Sequence, residues 1–438
     1  MHALIEWLYE KTGIKSFYVA IILGLLLFFI LLFWEPIIIV RGIEFTIALA
    51  PLWLPFFLLR IGWHLWLNYK RSSYIAAQNN VLLEIRIPRE VTKSPLAMEA
   101  VLAGLHLGPG ETTWINRYIE GKVRPWFSLE LVSIEGKIHF YIWTRAIIAP
   151  RIKSQFYAQF PEVEILEVED YTRYVSFNIK EHNLWSCEYK LTKPDAYPIK
   201  TYIDYGLDKD PKEEFKVDPL AHLMEILGAV GPGEHMWIQL MIRQNKDEKH
   251  VPGTIFGKKG LRDEADEIIE EMKKNASTTY TDAITGAERA GFPLFTEGER
   301  ETMKAIERSV GKLQFDVGIR FMYLATLEKF SLVHIYSGVN AFKQFNSPSL
   351  NGFSGSGGDF GFDYPWQEWF GYRTYVKKKQ FDAYIRRAYF HYPYKNQPMI
   401  LNTEELATLY HLPSSTIQTP TVERIASRRG EAPSNLPI

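Results

Sequence analysis

The chain has 438 residues, a formal net charge of −1 and a composition that is 47% hydrophobic. Near-neutral charge excludes bulk electrostatic attraction to nucleic acid. A single cysteine, Cys187, excludes an internal disulfide framework and a multi-cysteine zinc site, and suits a reducing compartment.

In chain order, the first 70 residues read as two membrane-spanning helices. Ser16 to Trp34 carries no charge and is rich in Ile, Leu and Phe; at 1.5 Å per residue it is long enough for a ~30 Å hydrocarbon core. Glu35, Pro36, Arg41 and Glu44 mark a short break, and a second apolar run goes from Phe45 to Tyr69, interrupted by Arg60 and His64. Pro51 and Pro55 allow this run to be kinked or re-entrant. Lys11 and Lys15 precede the first run and Lys70 and Arg71 follow the second, so the positive-inside rule expects both ends in the cytoplasm. Phe17, Trp34, Trp53, Trp63 and Trp66 are the expected membrane-anchoring aromatics, with Trp63 and Trp66 at the inner interface. The expected location is a membrane, with the bulk of the chain cytoplasmic.

Beyond the anchor, two segments repeat. Ser94–Glu111 reads SPLAMEAVLAGLHLGPGE and Asp218–Glu234 reads DPLAHLMEILGAVGPGE. Each starts with a capping residue followed by Pro at the first helical position, and each ends in a Gly-Pro-Gly stop. Around the first copy, Val81–Pro88, Trp126–Ser133, Lys137–Arg145 and Val163–Val168 pattern as strands, and Pro150–Phe160 as a helix. That order is the split β-α-β arrangement of ferredoxin-like domains. Around the second copy, Trp185–Leu191, His235–Arg243 and Phe315–Leu324 are strands and Leu332–Phe345 a helix. Residues 245–314 form an insertion with charged amphipathic helices at Leu261–Asn275 and Glu297–Lys312. The fold class expected is therefore α+β: a transmembrane hairpin (1–70), two tandem ferredoxin-like units (71–180 and 181–345), and a helical C-terminal segment (346–418) with a connector (419–438).

Two glycine-rich stretches invite a phosphate-binding reading. Gly352–Gly361 has no strand entering it and no lysine after it, and reads as a flexible loop. Gly253–Lys259 lacks the P-loop spacing and the Ser or Thr that holds magnesium. The helix Thr374–Phe390 carries Lys377, Lys378, Lys379, Arg386 and Arg387 among Tyr375, Phe381, Tyr384 and Tyr389. Two readings stand: cations and rings that contact nucleic acid or anionic lipid, or a core stripe of Phe381, Tyr384, Ile385 and Ala388 with the cations in water. No catalytic, cofactor or metal pattern is found, and the chain is not expected to be an enzyme.

The C-terminus reads LNTEELATLYHLP at Leu401–Pro413, then Thr419-Pro420 and RIASRRGEAPSNLP at Arg424–Pro437. It resembles the stretch just ahead of the motor domain in membrane-anchored, HerA-like ATPases of conjugative DNA transfer and type IV secretion. The resemblance implies an anchoring and assembly region. Membrane lipid and a P-loop ATPase domain, in cis or in trans, would be its partners, with homo-oligomerisation and DNA contact as further expectations. The P-loop that should follow in that family is missing from the chain, so no catalytic residue carries over. A freestanding inner-membrane scaffold is the alternative.

Overall fold

A computed structural model describes residues 23–26, 28–30, 33–34, 36–88, 93–108, 110–111, 113–208, 217–246, 249–250, 258–277, 279–281, 288–290, 294–360, 362, 365–413 and 424–425. These divide into two units, one of residues 1–77, 111–123 and 360–375, the other of residues 78–110, 124–359 and 376–438.

In the first unit the helices α1 (Pro36–Ala48) and α2 (Ala50–Ala76) meet at Leu49. The break falls just before Pro51, whose ring nitrogen cannot donate to a carbonyl one turn back, while Pro55 is accommodated inside α2. This corrects the expected boundary: residues 36–48 are helical, and the bend lies thirteen residues beyond Pro36, inside the second apolar run. Among the described residues no single helix is long and apolar enough to cross a membrane; Ile39–Ala48 and Ala50–Ala76 reach that length and composition together, bent by 69°. None of the residues of α2 is buried. Most of the expected first span, Phe17 included, lies outside the described residues.

The second unit is built on one ten-stranded sheet with helices, a mixed α+β fold. Its first half runs β1 (Asn80–Pro88), α3 (Pro95–Gly104), β2 (Trp126–Ile134), β3 (Lys137–Arg145), α4 (Ala149–Gln159) and β4 (Glu164–Val168). Its second half runs β5 (His182–Leu191), α5 (Pro219–Gly228), β6 (Glu234–Gln244), β11 (Gln314–Thr326), α8 (Leu332–Asn340) and β12 (Phe353–Ser356). Strand order is β4-β1-β3-β2 in the first half and β12-β5-β11-β6 in the second, so both read fourth, first, third, second. The Pro-Leu-Ala helices α3 and α5 occupy the same place in each. Their second strands pair antiparallel, from Trp126 opposite Arg243 to Ile134 opposite His235, making one sheet of the two halves.

Between β6 and β11 the described residues form two short ribbons (β7, Lys249–His250, with β8, Lys258–Lys259; β9, Thr279–Thr281, with β10, Glu288–Ala290) and the helices α6 (Leu261–Ala276) and α7 (Glu297–Val310). A capping box in which Thr296 and Glu299 satisfy each other's backbone N–H starts α7. The apolar stripes of α6 and α7 close on Leu261, Ala265, Ile269 and Ile306, with Ile400.

One sheet face is apolar and packs on the helices, with Leu83, Leu129, Leu240 and Val317 against Met98, Leu102, Ile152 and Leu223. The other face carries polar and aromatic side chains and is covered by the C-terminal segment. Two expectations change here. The Gly/Ser stretch is an edge strand over Phe353–Ser356, paired with β5, because its backbone groups meet those of Glu188–Leu191. The helix expected to reach Phe390, α9 (Tyr372–Ile385), stops at Ile385. Arg387 adopts φ 48°, a left-handed backbone that ends a helix. The chain then returns as β13 (Met399–Asn402) on β11 and α10 (Thr403–Leu409), and a last pair, β14 (Arg424–Ile425), joins β1 in parallel. Apart from that pair, the expected connector 419–438 lies outside the described residues.

Candidate functional site

Four strands of the sheet each place a carboxylate, amide or guanidinium near the middle of the strand, and register aligns them. Glu130 stands opposite Gln239, Gln239 opposite Arg320, and Arg320 opposite Glu188. Tyr141 and Glu84 continue the row across β3 and β1. Directly opposed residues share a face, so this is a continuous polar row crossing six strands beneath the C-terminal segment.

Side chains along the row are linked. Gln239 Nε2 donates to Glu130 (2.9 Å), Arg320 donates to Gln239 (3.2 Å) and to Glu188 (2.9 Å), and Asn396 Nδ2 donates to Glu188 (2.6 Å). Arg387 grips Glu130 with Nε at 3.0 Å and Nη2 at 3.2 Å, the forked geometry a guanidinium offers a carboxylate. Asp170 binds the same guanidinium. Glu130 also accepts from Ser128 (2.6 Å) and from Tyr171 (2.8 Å). Since Tyr171 gives its proton to Glu130, Tyr384 must be the donor in the 2.6 Å contact between the two phenols.

Glu130, Gln239, Arg320 and Arg387 are all fully buried. Burial, reinforced by the Glu130 carboxylate, pushes the Tyr171 and Tyr384 phenols well above their ordinary range. Burial opposes the charged form of Asp170, but Arg387 outweighs it and holds that carboxyl below its ordinary value. Aromatic rings extend the packing: His139 stacks on Tyr141, Tyr141 on Tyr171, and Trp237 on Tyr384 at 5.1 Å. Each charge faces an opposite charge, and the rings fill the space between. Chemically the arrangement can hold the segment 376–396 on the sheet through desolvated ion pairs.

A second polar cluster fixes the C-terminal motif on the helical face. Asn402 caps α10 reciprocally with Glu405: the Asn402 side chain accepts from Glu405 N (2.9 Å) and Glu405 accepts from Asn402 N (2.8 Å). Glu405 also accepts from Ile199 N at 2.9 Å, and its burial raises the carboxyl to about 8. Glu404 and Glu99 of α3 share Lys312, at 2.9 and 2.7 Å. His411 meets Asp218, the residue that caps α5, at 3.2 Å. Burial alone lowers the His411 pKa, but Asp218 more than offsets it and the imidazole titrates above its ordinary value. The motif thus ties together the two repeated helices.

The cations singled out in the sequence are dispersed. Lys377 donates to Asn183 at 2.7 Å, Arg386 pairs with Asp382 one turn away, and Lys378 and Lys379 are exposed. As a nucleic-acid or lipid contact Arg387 is corrected: it faces the sheet with no exposed surface, because Glu130 and Asp170 draw it inward. Tyr384 and Tyr389 are buried too and offer no stacking platform. Of the anchoring aromatics, Trp34, Trp53, Trp63 and Trp66 are exposed on or beside the apolar helices. Sequence reading missed Glu130, Gln239, Arg320 and Glu188, whose available signal was a carboxylate, amide or guanidinium set among the apolar residues of a buried strand. No three His, Cys, Asp or Glu side chains among the described residues converge as metal ligands would.

The fold and site define an α+β protein of two halves with matching strand order, fused through one sheet and clamped by its C-terminal segment on both faces. The chain belongs to the family described as Domain of unknown function (DUF8128), whose model matches residues 68–425. No curated protein matches it.

Proposed function

We propose that the chain is the membrane-anchoring and assembly region of a conjugation or type IV secretion-type ATPase, non-catalytic by itself, with its α+β unit in the cytoplasm. The apolar helix α2, 27 residues without one buried, supports the anchor, since such a surface is stable only against lipid or another apolar partner. The observation that carries the link to a motor is the motif Leu401–Pro413, which resembles the pre-motor stretch of HerA-like ATPases. Its neighbour Arg424–Ile425 adds to the end of β1, where a connector towards a motor in cis or in trans would leave. We read the two halves as duplicated ferredoxin-like units, on the shared strand order and the paired Pro-Leu-Ala helices. Anchoring restricts motor subunits to one plane and raises their effective concentration without any new contact. A specific observation favours the freestanding scaffold as a second reading: α10 is wholly buried within its own unit, leaving it no surface for a motor.

Two measurements test the proposal. Cys187 is buried and silent, so single cysteines replacing Arg41 and Asn79 can be probed in intact cells with an impermeant maleimide. Arg41→Cys should label from outside and Asn79→Cys only after lysis; labelling of both from the same side overturns the hairpin. Deleting residues 1–69 from the native gene should abolish DNA or protein transfer, and normal transfer by that strain removes the assembly role.

A further inference from the structure

Two excursions from the α+β unit, residues 111–123 and 360–375, belong to the same unit as the apolar helices. The first holds a short π-helical turn, Asn116–Glu120, against α2. Trp66 Nε1 donates to Tyr118 O at 3.3 Å, and the Trp63 and Tyr118 rings lie 5.8 Å apart. Gly121, at φ 71°, sits so close to α2 that a Cβ there would come within 2.5 Å of the Lys70 carbonyl carbon. That close approach requires glycine.

Both excursions turn apolar side chains outward. Trp114 is 65% exposed, and Ile115 and Ile119 are exposed beside it. In the second, Phe370 has its whole side chain exposed and a left-handed backbone of φ 58°, followed by Gly371 at φ 70°. A bulky residue held in that conformation is strained, and here the strain directs a phenyl ring away from the protein. The rings of Tyr372 and Tyr375 stack on each other with centroids 6.1 Å apart and are also exposed. Among the described residues of the two excursions the carboxylates are paired: Glu111 with Arg117, Glu120 with Lys122, and Glu368 with Arg373. Lys70 lies over the Trp66 ring, its ammonium 4.8 Å from the ring centroid.

We propose that these two excursions form a seat for the acyl–headgroup boundary of a phospholipid bilayer, inserting Trp114, Ile119 and Phe370 beside α2. The proposal rests on the membrane reading above and deepens it. Rings with a polar edge and apolar side chains collect at that depth, and the first excursion packs directly on α2, none of whose residues is buried. Because the carboxylates enter as ion pairs, insertion is driven by apolar surface and does not require anionic lipid.

The test uses the full chain reconstituted in vesicles of phosphatidylcholine alone and of phosphatidylcholine with phosphatidylglycerol. Spin labels are placed at Ile119→Cys and Phe370→Cys, with Leu58→Cys in α2 and Arg300→Cys on α7 as references. Labels at 119 and 370 should be relaxed by oxygen, which concentrates in lipid, and shielded from a water-soluble nickel chelate, in both compositions. If both resemble the label at 300 while the one at 58 is in lipid, the seat is overturned and the anchor stands. Should position 58 also be in water, the membrane reading itself fails and the seat with it. Shielding only in the presence of phosphatidylglycerol overturns aromatic insertion as the driving force.

Discussion

Replacing Arg387 with Met tests whether the buried ion pair holds the C-terminal segment on the sheet. The change removes both arms of the fork on Glu130 and the contact with Asp170. Breaking a buried pair by deleting one partner costs about 3–5 kcal/mol, because the remaining charge stays desolvated. Glu130 keeps Ser128, Gln239 and Tyr171 as donors, which places the loss near the lower end, about 3 kcal/mol. For a unit of this size that corresponds to a fall in melting temperature of roughly 5 °C. Near-ultraviolet circular dichroism of the full chain in detergent reads it directly, since Tyr171, Trp237 and Tyr384 pack together under the segment. Trypsin supplies a local readout: Lys378 and Lys379 lie exposed on the segment that Arg387 holds, and cleavage there should accelerate. Adding Glu130→Gln removes the stranded charge, so the double variant should recover about 2 kcal/mol relative to the sum of the single losses. An Arg387→Met protein with unchanged melting and unchanged cleavage, or additive losses in the cycle, refutes the clamp.

Glu405, raised to about 8, and His411, raised above its ordinary 6.5, both contribute stability that is complete at low pH. That stability is lost as pH rises through the folded values. Stability of the full chain should therefore fall from about pH 4.5, the ordinary Glu405 value, to about pH 8, its folded value, and Glu405→Gln, which stays neutral, should flatten that slope when melting is followed across the range. Lys312→Met leaves Glu404 buried without its 2.9 Å partner and Glu99 without its 2.7 Å one; a loss of about 2–3 kcal/mol is expected, seen as faster amide exchange over 399–413. Gly318 lies under Tyr389, where an added Cβ would come within 2.6 Å of ring carbons. Gly318→Ala should cost about 1–3 kcal/mol by overpacking, measurable by thermal melting; an unshifted midpoint shows that the ring can yield.

Local order along the chain was legible because each element signals itself. The Pro-Leu-Ala openings, the Gly-Pro-Gly stops and the strand patterns of Val81–Pro88 and Lys137–Arg145 depend on neighbours in sequence. What could not be read depends on partners far away. Glu130 finds Arg387 across more than 250 positions, and nothing within one strand announces that its single carboxylate will be met. Phe353–Ser356 is a strand only because the edge of β5 is free to pair with it; glycine and serine have little strand preference of their own. Arg387 looked like a surface cation since basic residues surround it, and the left-handed turn that swings it inward follows from tertiary packing.

The route of residues 376–413 has a consequence for the order in which the protein is made. This stretch first covers the polar sheet face, then adds β13 to β11, then sends α10 to the helical face against α3. Until residue 413 has left the ribosome, Glu130 and Arg320 lack their last partners, and the flanks of α3 and α5 stay bare. A nascent chain short of that point therefore presents the unpaired polar row and the bare helix flanks together. Messages truncated ahead of codon 413 should yield unsealed chains, ready substrates for cellular proteases.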